Sequence, residues 1–452
     1  MRFNLKILTI VALAFAASCD VLDQTPQQSL PTEDIFTNEA NVNAVLAGAY
    51  SGLQGSLDDN IRFTELAGDN ARHTGSFPSW AAVDQHNLLA DNAEGRNQYI
   101  ALYDVINTAN NIIKFTSDVE SMPEARQNIA IAEAKVIRAL AYHNLVRWYG
   151  GVPLMVEPIE GLEEGNVPRS TAAEVYTLIT QDLEDAVATL GASGTSGSTR
   201  ITGYAATALL ARVNLYTGDY PAAEANATTV INSGNFAVTG VLYSANFGVA
   251  EADGQGSGES IFELLFTDED SNSLSFFARP NGNGGRFEYG PEPTYSGIYD
   301  AADTRISSNL RTYSGALRLG KYFRTDGSDN FIIVRLAEMY LIRAEAIARQ
   351  DFITPVEQQA AIADVNVIRD RAGLADVTIA DFANFEAFLD EVLLQKRIEL
   401  DQEGHRWHDL VRTGRAQATL GITDANDLLW PIPQREIDSN SAIAPEDQNP
   451  GY

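Results

Sequence analysis

The chain has 452 residues, of which 45% are hydrophobic and 20% are charged. These values exclude a largely disordered protein and leave room for one large domain or several smaller ones. The chain contains 61 Asp and Glu against 31 Lys and Arg, a formal net charge of −30. Because such a surface repels phosphate backbones, we expect no nucleic-acid partner.

Residues 1–18 have the layout of a secretory signal peptide. Arg2 and Lys6 form a positive start, and an apolar run from Ile7 to Ala17 follows. That run is too short to cross a bilayer as a helix. We therefore expect the mature chain to be exported.

The chain has a single cysteine, Cys19, at the end of the sequence "AASC". This sequence resembles a bacterial lipobox, in which the cysteine is acylated after cleavage. A conventional cleavage site at "AFA" (14–16) is the alternative. An unpaired thiol is a liability in an exported protein, which favours lipid attachment at Cys19. Residues 19–37 are polar and contain Pro26 and Pro31, so we predict an extended, lipidated tether.

Residues 38–237 are predicted to form an N-terminal helical region. Apolar residues recur at spacings of three and four over 39–57, 96–117 and 124–149. Thr171 and Glu174 form a capping box that begins a further helix. The sequence therefore predicts long amphipathic helices separated by short breaks.

Two stretches are typical of tetratricopeptide-type helical hairpins, which are about 34 residues long. The first lies around "GDYP" (218–221), a tight turn between two apolar stripes. The second begins at "VRLAEMYLIRAEAIARQ" (334–350) and resumes at Thr354, where Glu357 completes another capping box. We expect this second hairpin to end at Gly373.

The C-terminal region, residues 238–452, begins with a loop-rich insertion over 238–330. This insertion contains "RPNGNGGRFEYGPEPTYSG" and two short β-prone runs, "SIFELLF" and "GKYFRT", for which we predict small strands. Loops on a rigid helical scaffold are where binding residues concentrate. We therefore expect ligand contacts in this insertion.

Several segments resemble the SusD/RagB family of outer-membrane lipoproteins. They are "SCDVLDQTP", "AEAKVIRALAYHNLVRWYGGVPL", "PRSTAAEVYTLITQDLEDAVATL", "KRIELDQEGHRWHDLVRTGRA" and "WPIPQREIDSN". The resemblance implies a mostly α fold built on tetratricopeptide-type hairpins with loop and small-strand insertions. It also implies a surface-exposed, lipid-anchored protein at the outer membrane that works with a SusC-like TonB-dependent transporter. Family members bind glycans, or in some cases peptides, without catalysis.

Sugar recognition needs exposed aromatic faces with polar groups at their rim. Two loop segments supply candidates. The first holds Trp80, Asp69, Asn70, Arg72 and His73. The second holds Arg286, Phe287, Tyr289 and Tyr295. Turn formation is the alternative role for Asp69 and Asn70, and a local core under the loop is the alternative for the aromatic residues.

Other motifs point to structure more than to chemistry. Trp148, Trp407 and Trp430 lie in scaffold segments and are expected to be buried. His405 and His408 lack a third metal ligand. We predict no metal, no cofactor and no catalytic residue. The predicted function is capture of an oligosaccharide or polysaccharide for nutrient uptake, with a peptide-binding RagB-like protein or a tetratricopeptide interaction scaffold as alternatives.

Overall fold

A computed structural model describes residues 35–159, 161, 164–247, 258–350, 352 and 354–452. The predicted signal peptide, Cys19 and most of the predicted tether lie outside these residues. Within them, no helix combines the length and apolarity needed to cross a membrane.

The described chain is mainly helical. The helices are α1 (Glu39–Ala67), α2 (Pro78–Asp84), α3 (Ala93–Phe115), α4 (Glu124–Tyr149), α5 (Ala172–Leu190), α6 (Gly203–Thr217), α7 (Tyr220–Ile231), α8 (Leu274–Ala278), α9 (Ile306–Asn309), α10 (Leu336–Gln350), α11 (Pro355–Ala372), α12 (Phe385–Glu399), α13 (Arg406–Arg412), α14 (Ala416–Leu420) and α15 (Gln434–Ser439). The strands are β1 (Ala71–His73), β2 (Ser260–Leu264), β3 (Tyr289–Pro291), β4 (Leu310–Tyr313), β5 (Ala316–Leu319) and β6 (Phe331–Arg335).

The long helices predicted from apolar spacing are confirmed, and α4 has the predicted bounds. Helix α1 continues to Ala67, beyond the predicted end at residue 57. Asp58 and Asp59 interrupt the apolar pattern there. They do not end the helix, because Arg62 on the next turn pairs with Asp58 at 2.8 Å and also with Asp59, as side chains three and four residues apart do.

The predicted helix starts and stops are also confirmed. Thr171 and Glu174 form the capping box of α5, and Thr354 caps α11. Gly218 and Gly373 end α6 and α11 in the left-handed region, with φ of 80° and 79°, where glycine carries no steric cost. The hairpins α6–α7 and α10–α11 pack together through α7 and α10.

The main core contains the three scaffold tryptophans, whose predicted burial is confirmed. Trp148, Trp407 and Trp430 are at most 3% exposed. The Trp148 and Trp430 ring centroids are 4.1 Å apart, and those of Trp148 and Trp407 are 6.3 Å apart. Because Trp148 lies in the N-terminal region and the other two in the C-terminal region, both regions share this core.

The strands form three two-stranded antiparallel ribbons, β1–β3, β2–β6 and β4–β5. The strand predicted in "SIFELLF" is β2, but the strand predicted in "GKYFRT" is wrong. The backbone N–H groups of Phe323 and Arg324 donate to the Asp329 carboxylate, each at 2.7 Å. This side-chain contact takes the place of a strand ladder.

Candidate ligand-binding surface

The β1–β3 ribbon brings the two predicted ligand-binding segments together. Arg72 lies opposite Gly290, and His73 lies opposite Tyr289. Segments more than 200 residues apart in sequence therefore meet in one place. Partners on antiparallel strands share a face, so Arg72 and Gly290 are on one side of the ribbon and His73 and Tyr289 on the other.

Trp80 is not an exposed aromatic residue, which corrects the sequence-based expectation. It is 5% exposed, and its ring centroid lies 5.0 Å from those of Phe77 and Phe277 and 5.8 Å from that of Phe63. The Arg62 guanidinium lies 4.6 Å from its centroid. The short helix α2 begins with Pro78 and turns Trp80 toward the core, a local order that the polar loop composition did not predict.

Asp69 and Asn70 are held by protein partners. Asp69 pairs with Arg406 at 2.6 Å and with Arg397 at 3.0 Å. Burial raises the pKa of Asp69, but the hydrogen bonds and charges of the two arginines outweigh it, so the pKa lies below its usual value. Asn70 is fully buried and accepts a hydrogen bond from Arg397 Nε at 2.7 Å. Asn70 is therefore out of reach of a ligand, and Asp69 orders the start of β1.

The Asn70 amide also joins two buried carboxyl groups beneath the ribbon. Its Nδ2 donates to Glu65 at 2.8 Å and to Asp401 at 3.3 Å. Burial, followed by the charge of Asp401, raises the pKa of Glu65 to about 8. Burial raises the pKa of Asp401 to about 6. At neutral pH this pair therefore retains a proton.

Tyr289 and Tyr295 are buried as well, at 1% and 0% exposed, so their expected exposure is wrong. The Tyr289 hydroxyl donates to the Leu274 carbonyl at 3.2 Å. The Tyr295 hydroxyl accepts from Tyr299 at 3.0 Å. The loop forms a local core because each tyrosine satisfies its hydroxyl internally while its ring is buried.

Arg72, His73, Arg286 and Phe287 remain near the surface. Arg72 is exposed, and His73 Nε2 lies 3.9 Å from a Glu288 carboxylate oxygen. The Arg286 side chain is 45% exposed and pairs with Glu288 at 2.7 Å. Glu288 also accepts from the Ser76 backbone N–H at 2.6 Å. These contacts fix the loop between β1 and α2 against the 286–289 segment.

Phe287 occupies the left-handed region with φ of 53°, an uncommon conformation for a bulky residue that often marks functional positions. A Cβ at Gly290 would lie 2.9 Å from Phe287 Cε2, so the ring packs directly on the backbone of β3. The Arg318 guanidinium carbon lies 3.9 Å from the ring centroid. The β4–β5 hairpin thus joins the same surface.

Three further residues of this surface were not among the predicted ligand-binding residues: Phe276, Arg311 and Arg318. Phe276 is 44% exposed, and its carbonyl accepts from the Arg286 backbone N–H at 2.8 Å. The signal for the two arginines was the turn "SG" (314–315) between alternating residues, a two-residue hairpin pattern. We call the surface formed by Arg72, Phe276, Arg286, Phe287, Arg311 and Arg318 the β-ribbon surface.

A groove of about 590 Å³ lies elsewhere, between α5 and α6. Tyr176, Gln181, Glu184 and Asn214 are among its lining residues. Tyr176 is the aromatic residue among those that line this groove, and no arginine lines it. The side-chain types that recognise sugars are therefore better represented on the β-ribbon surface.

The sequence matches two family profiles. A profile described as "Starch-binding associating with outer membrane" matches residues 20–215, and the SusD family profile matches residues 318–426. The SusD-like protein P38 from Formosa agariphila is 27% identical over 100% of this chain and 99% of its own.

Solved structures share the fold. A SusD superfamily protein from Bacteroides vulgatus aligns with a TM-score of 0.80 at 20% identity, covering 92% of this chain and 100% of its own. A laminarin-binding SusD-like protein aligns with a TM-score of 0.78 at 24% identity, with the same coverage of both chains. With its helical hairpins, its small ribbons and both profile matches, this chain belongs to the SusD/RagB family, a family of glycan-binding, outer-membrane-associated proteins.

Proposed function

We propose that this protein captures an oligosaccharide or polysaccharide at the cell surface and binds it on the β-ribbon surface. The observation that carries the proposal is an exposed phenylalanine, Phe276, and a half-buried one, Phe287, whose ring contacts Arg318, on a support fixed by buried contacts. Aromatic rings pack on the C–H faces of sugars, and guanidinium groups donate to their oxygen atoms. Because the rings and donors are already positioned, little entropy is lost on binding.

The proposed role is binding without catalysis. Glu288 is the carboxylate that contacts Arg286 and Ser76, and the hydrogen bonds of Ser76 and Arg286, with the charge of Arg286, outweigh burial and lower its pKa. A glycosidase acid would need the opposite shift. Glu288 therefore acts as a hydrogen-bond acceptor and not as a proton donor.

We test glycan binding by calorimetry on residues 20–452, with a panel of oligosaccharides that includes laminarin fragments. Phe276→Ala and Phe287→Ala are each expected to weaken the best ligand at least about tenfold, or about 1.4 kcal/mol, because each removes a contact ring. Val356→Ala, which truncates a residue 75% exposed on α11, is the control and should leave affinity unchanged.

The alternatives give different outcomes in the same experiment. Heat from oligopeptides and none from any glycan would identify a peptide-binding protein. If neither glycans nor oligopeptides give heat, the remaining hypothesis is a tetratricopeptide scaffold that binds protein partners. Glycan binding that both phenylalanine variants retain would remove the β-ribbon surface from the proposal.

We further propose that Cys19 carries a lipid anchor and that the anchored protein passes its ligand to a SusC-like TonB-dependent transporter. Cys19 lies outside the described residues, so the support is the "AASC" sequence and the family. Labelled fatty acid is expected to enter the wild-type protein and not Cys19→Ser. Equal labelling of the two would exclude Cys19 as the attachment site.

A further inference from the structure

Two arginines face each other across the β4–β5 hairpin. Arg311 and Arg318 are direct cross-strand partners, so their Cβ atoms are about 5 Å apart and on the same face. Like charges in this position destabilise a ribbon. Among the described residues neither arginine has a carboxylate partner; Arg311 lies 3.6 Å from the Phe323 ring centroid and Arg318 lies 3.9 Å from that of Phe287.

A third arginine, Arg72, lies on the neighbouring β1–β3 ribbon. It is the cross-strand partner of Gly290, and the Phe287 ring packs on Gly290. Because Arg318 lies over that ring, Phe287 joins the ribbon that carries Arg72 to the hairpin that carries Arg311 and Arg318. Asp84 and Glu292 lie close enough to interact electrostatically with Arg72, but within the described chain Arg72 forms no ion pair.

This arrangement contrasts with arginines in the helical scaffold. Arg138 pairs with Asp182 at 2.8 Å, and Arg212 pairs with Glu338 at 2.6 Å. A chain with 61 acidic residues has carboxylates available for such pairs. On the β-ribbon surface Glu288 pairs with Arg286, whereas Arg72, Arg311 and Arg318 form no ion pair among the described residues.

Unpaired arginines at one surface are suited to an anion. The guanidinium group presents a planar fork of donors that matches carboxylate and sulfate oxygens. Arg311 Nε donates to the Gly320 carbonyl at 2.8 Å and Arg318 Nη1 donates to the Leu317 carbonyl at 2.7 Å, so each guanidinium keeps further N–H donors for a ligand. The guanidinium groups of Arg311 and Arg318 lie against the Phe323 and Phe287 rings, which helps to hold them in place.

We propose that the ligand of the β-ribbon surface is an anionic glycan, whose carboxylate or sulfate groups bind Arg72, Arg311 and Arg318. This inference rests on the proposed glycan-binding function and specifies its ligand class. The net charge of −30 repels polyanions at long range. Local arginine contacts are therefore required for an acidic sugar to bind at all.

The test compares matched oligosaccharides by calorimetry on residues 20–452. Oligogalacturonate supplies carboxylates, carrageenan fragments supply sulfates, and laminarin fragments are neutral. At least one acidic ligand is expected to bind about tenfold or more tightly than the neutral one, and to weaken at high salt because its contacts are partly electrostatic. Inorganic sulfate should compete if sulfate groups are the recognised feature, and the relative affinities of the two acidic ligands identify the preferred anion.

The variants isolate the arginine contribution. Arg311→Met with Arg318→Met removes both charges and keeps side-chain length; we expect acidic-ligand affinity to fall at least about tenfold. Arg72→Met, at an exposed position, should change the affinity in the same direction and serves as the test if the double variant folds poorly. The Arg318→Lys variant, which keeps the positive charge, should retain only part of the wild-type affinity. Arg435→Met, at an exposed position on α15, is the matched control.

Preference for neutral glycans, or acidic binding that the arginine variants leave intact, would overturn this inference while glycan binding itself stands. No heat from any glycan would instead overturn the proposed function and this inference with it.

Discussion

Trp80→Ala is expected to lower the free energy of unfolding by about 3–5 kcal/mol, the usual cost of removing a large buried aromatic side chain. The ring fills the space between α1, α2 and the Phe277 segment. Its removal also deprives the Arg62 guanidinium of the indole face 4.6 Å away, a favourable cation–π contact. Chemical denaturation monitored by circular dichroism measures the change.

Phe276→Ala is the matched control for that measurement. Phe276 is 44% exposed, so its truncation should cost less than about 1 kcal/mol. We therefore expect the two aromatic variants to separate: Trp80→Ala lowers stability, and Phe276→Ala lowers ligand affinity. A Trp80→Ala protein with wild-type stability would show that the ring does not support the surface.

The Glu65→Gln variant is expected to gain stability relative to wild type as the pH rises. The difference in the free energy of unfolding between the two proteins should change by about 4 kcal/mol between pH 5 and pH 9. The pKa of Glu65 is raised from its usual 4.5 to about 8. The folded state therefore keeps a proton that the unfolded state has released. Its stabilising contribution is complete below about pH 4.5 and is lost as the pH rises through about 8.

Comparing the two proteins at each pH removes the effect of titrating groups that do not interact with Glu65. Burial lowers the pKa of His143, His405 and His408, so these histidines make wild type more stable as the pH rises toward neutrality. They act equally in both proteins and cancel in the difference. Free energies of unfolding from urea titrations give the values, and a difference that is constant with pH would contradict a proton held by Glu65.

The carboxyl pair has several charged and titratable neighbours. Glu65 interacts electrostatically with Lys321, and Asp401 interacts with Lys321, Glu403 and the Tyr295 hydroxyl. Lys321 is itself paired with Glu403 at 2.7 Å. Neither Glu65 nor Asp401 therefore has a cation of its own, which is why burial dominates their titration.

The Trp80 and Glu65 variants remove two different kinds of support for the β-ribbon surface. Trp80 supports the loop after β1 by filling volume. Glu65 supports Asn70, at the start of β1, through hydrogen bonding, and its contribution varies with proton concentration. A ligand affinity that falls in parallel with stability in either variant would indicate that the β-ribbon surface depends on an ordered interior.

The sequence by itself determined the helical scaffold. The period of the apolar residues defined α4, and the Thr171 and Thr354 caps and the glycines at 218 and 373 defined helix ends. These signals are local, since each depends on residues within a few positions of one another. The family segments lie in this scaffold, which is why the sequence also indicated the family.

The tertiary structure alone decided which loop residues are exposed. Trp80, Tyr289 and Tyr295 look like Phe276 and Phe287 in sequence, because all lie among polar residues and glycines. Their burial depends on contacts with distant segments. In the same way, the register of β4 with β5 paired Arg311 with Arg318, and the register of β1 with β3 set Arg72 opposite Gly290, on which Phe287 packs. Such pairings depend on chain closure over long separations and leave no periodic signal in the sequence.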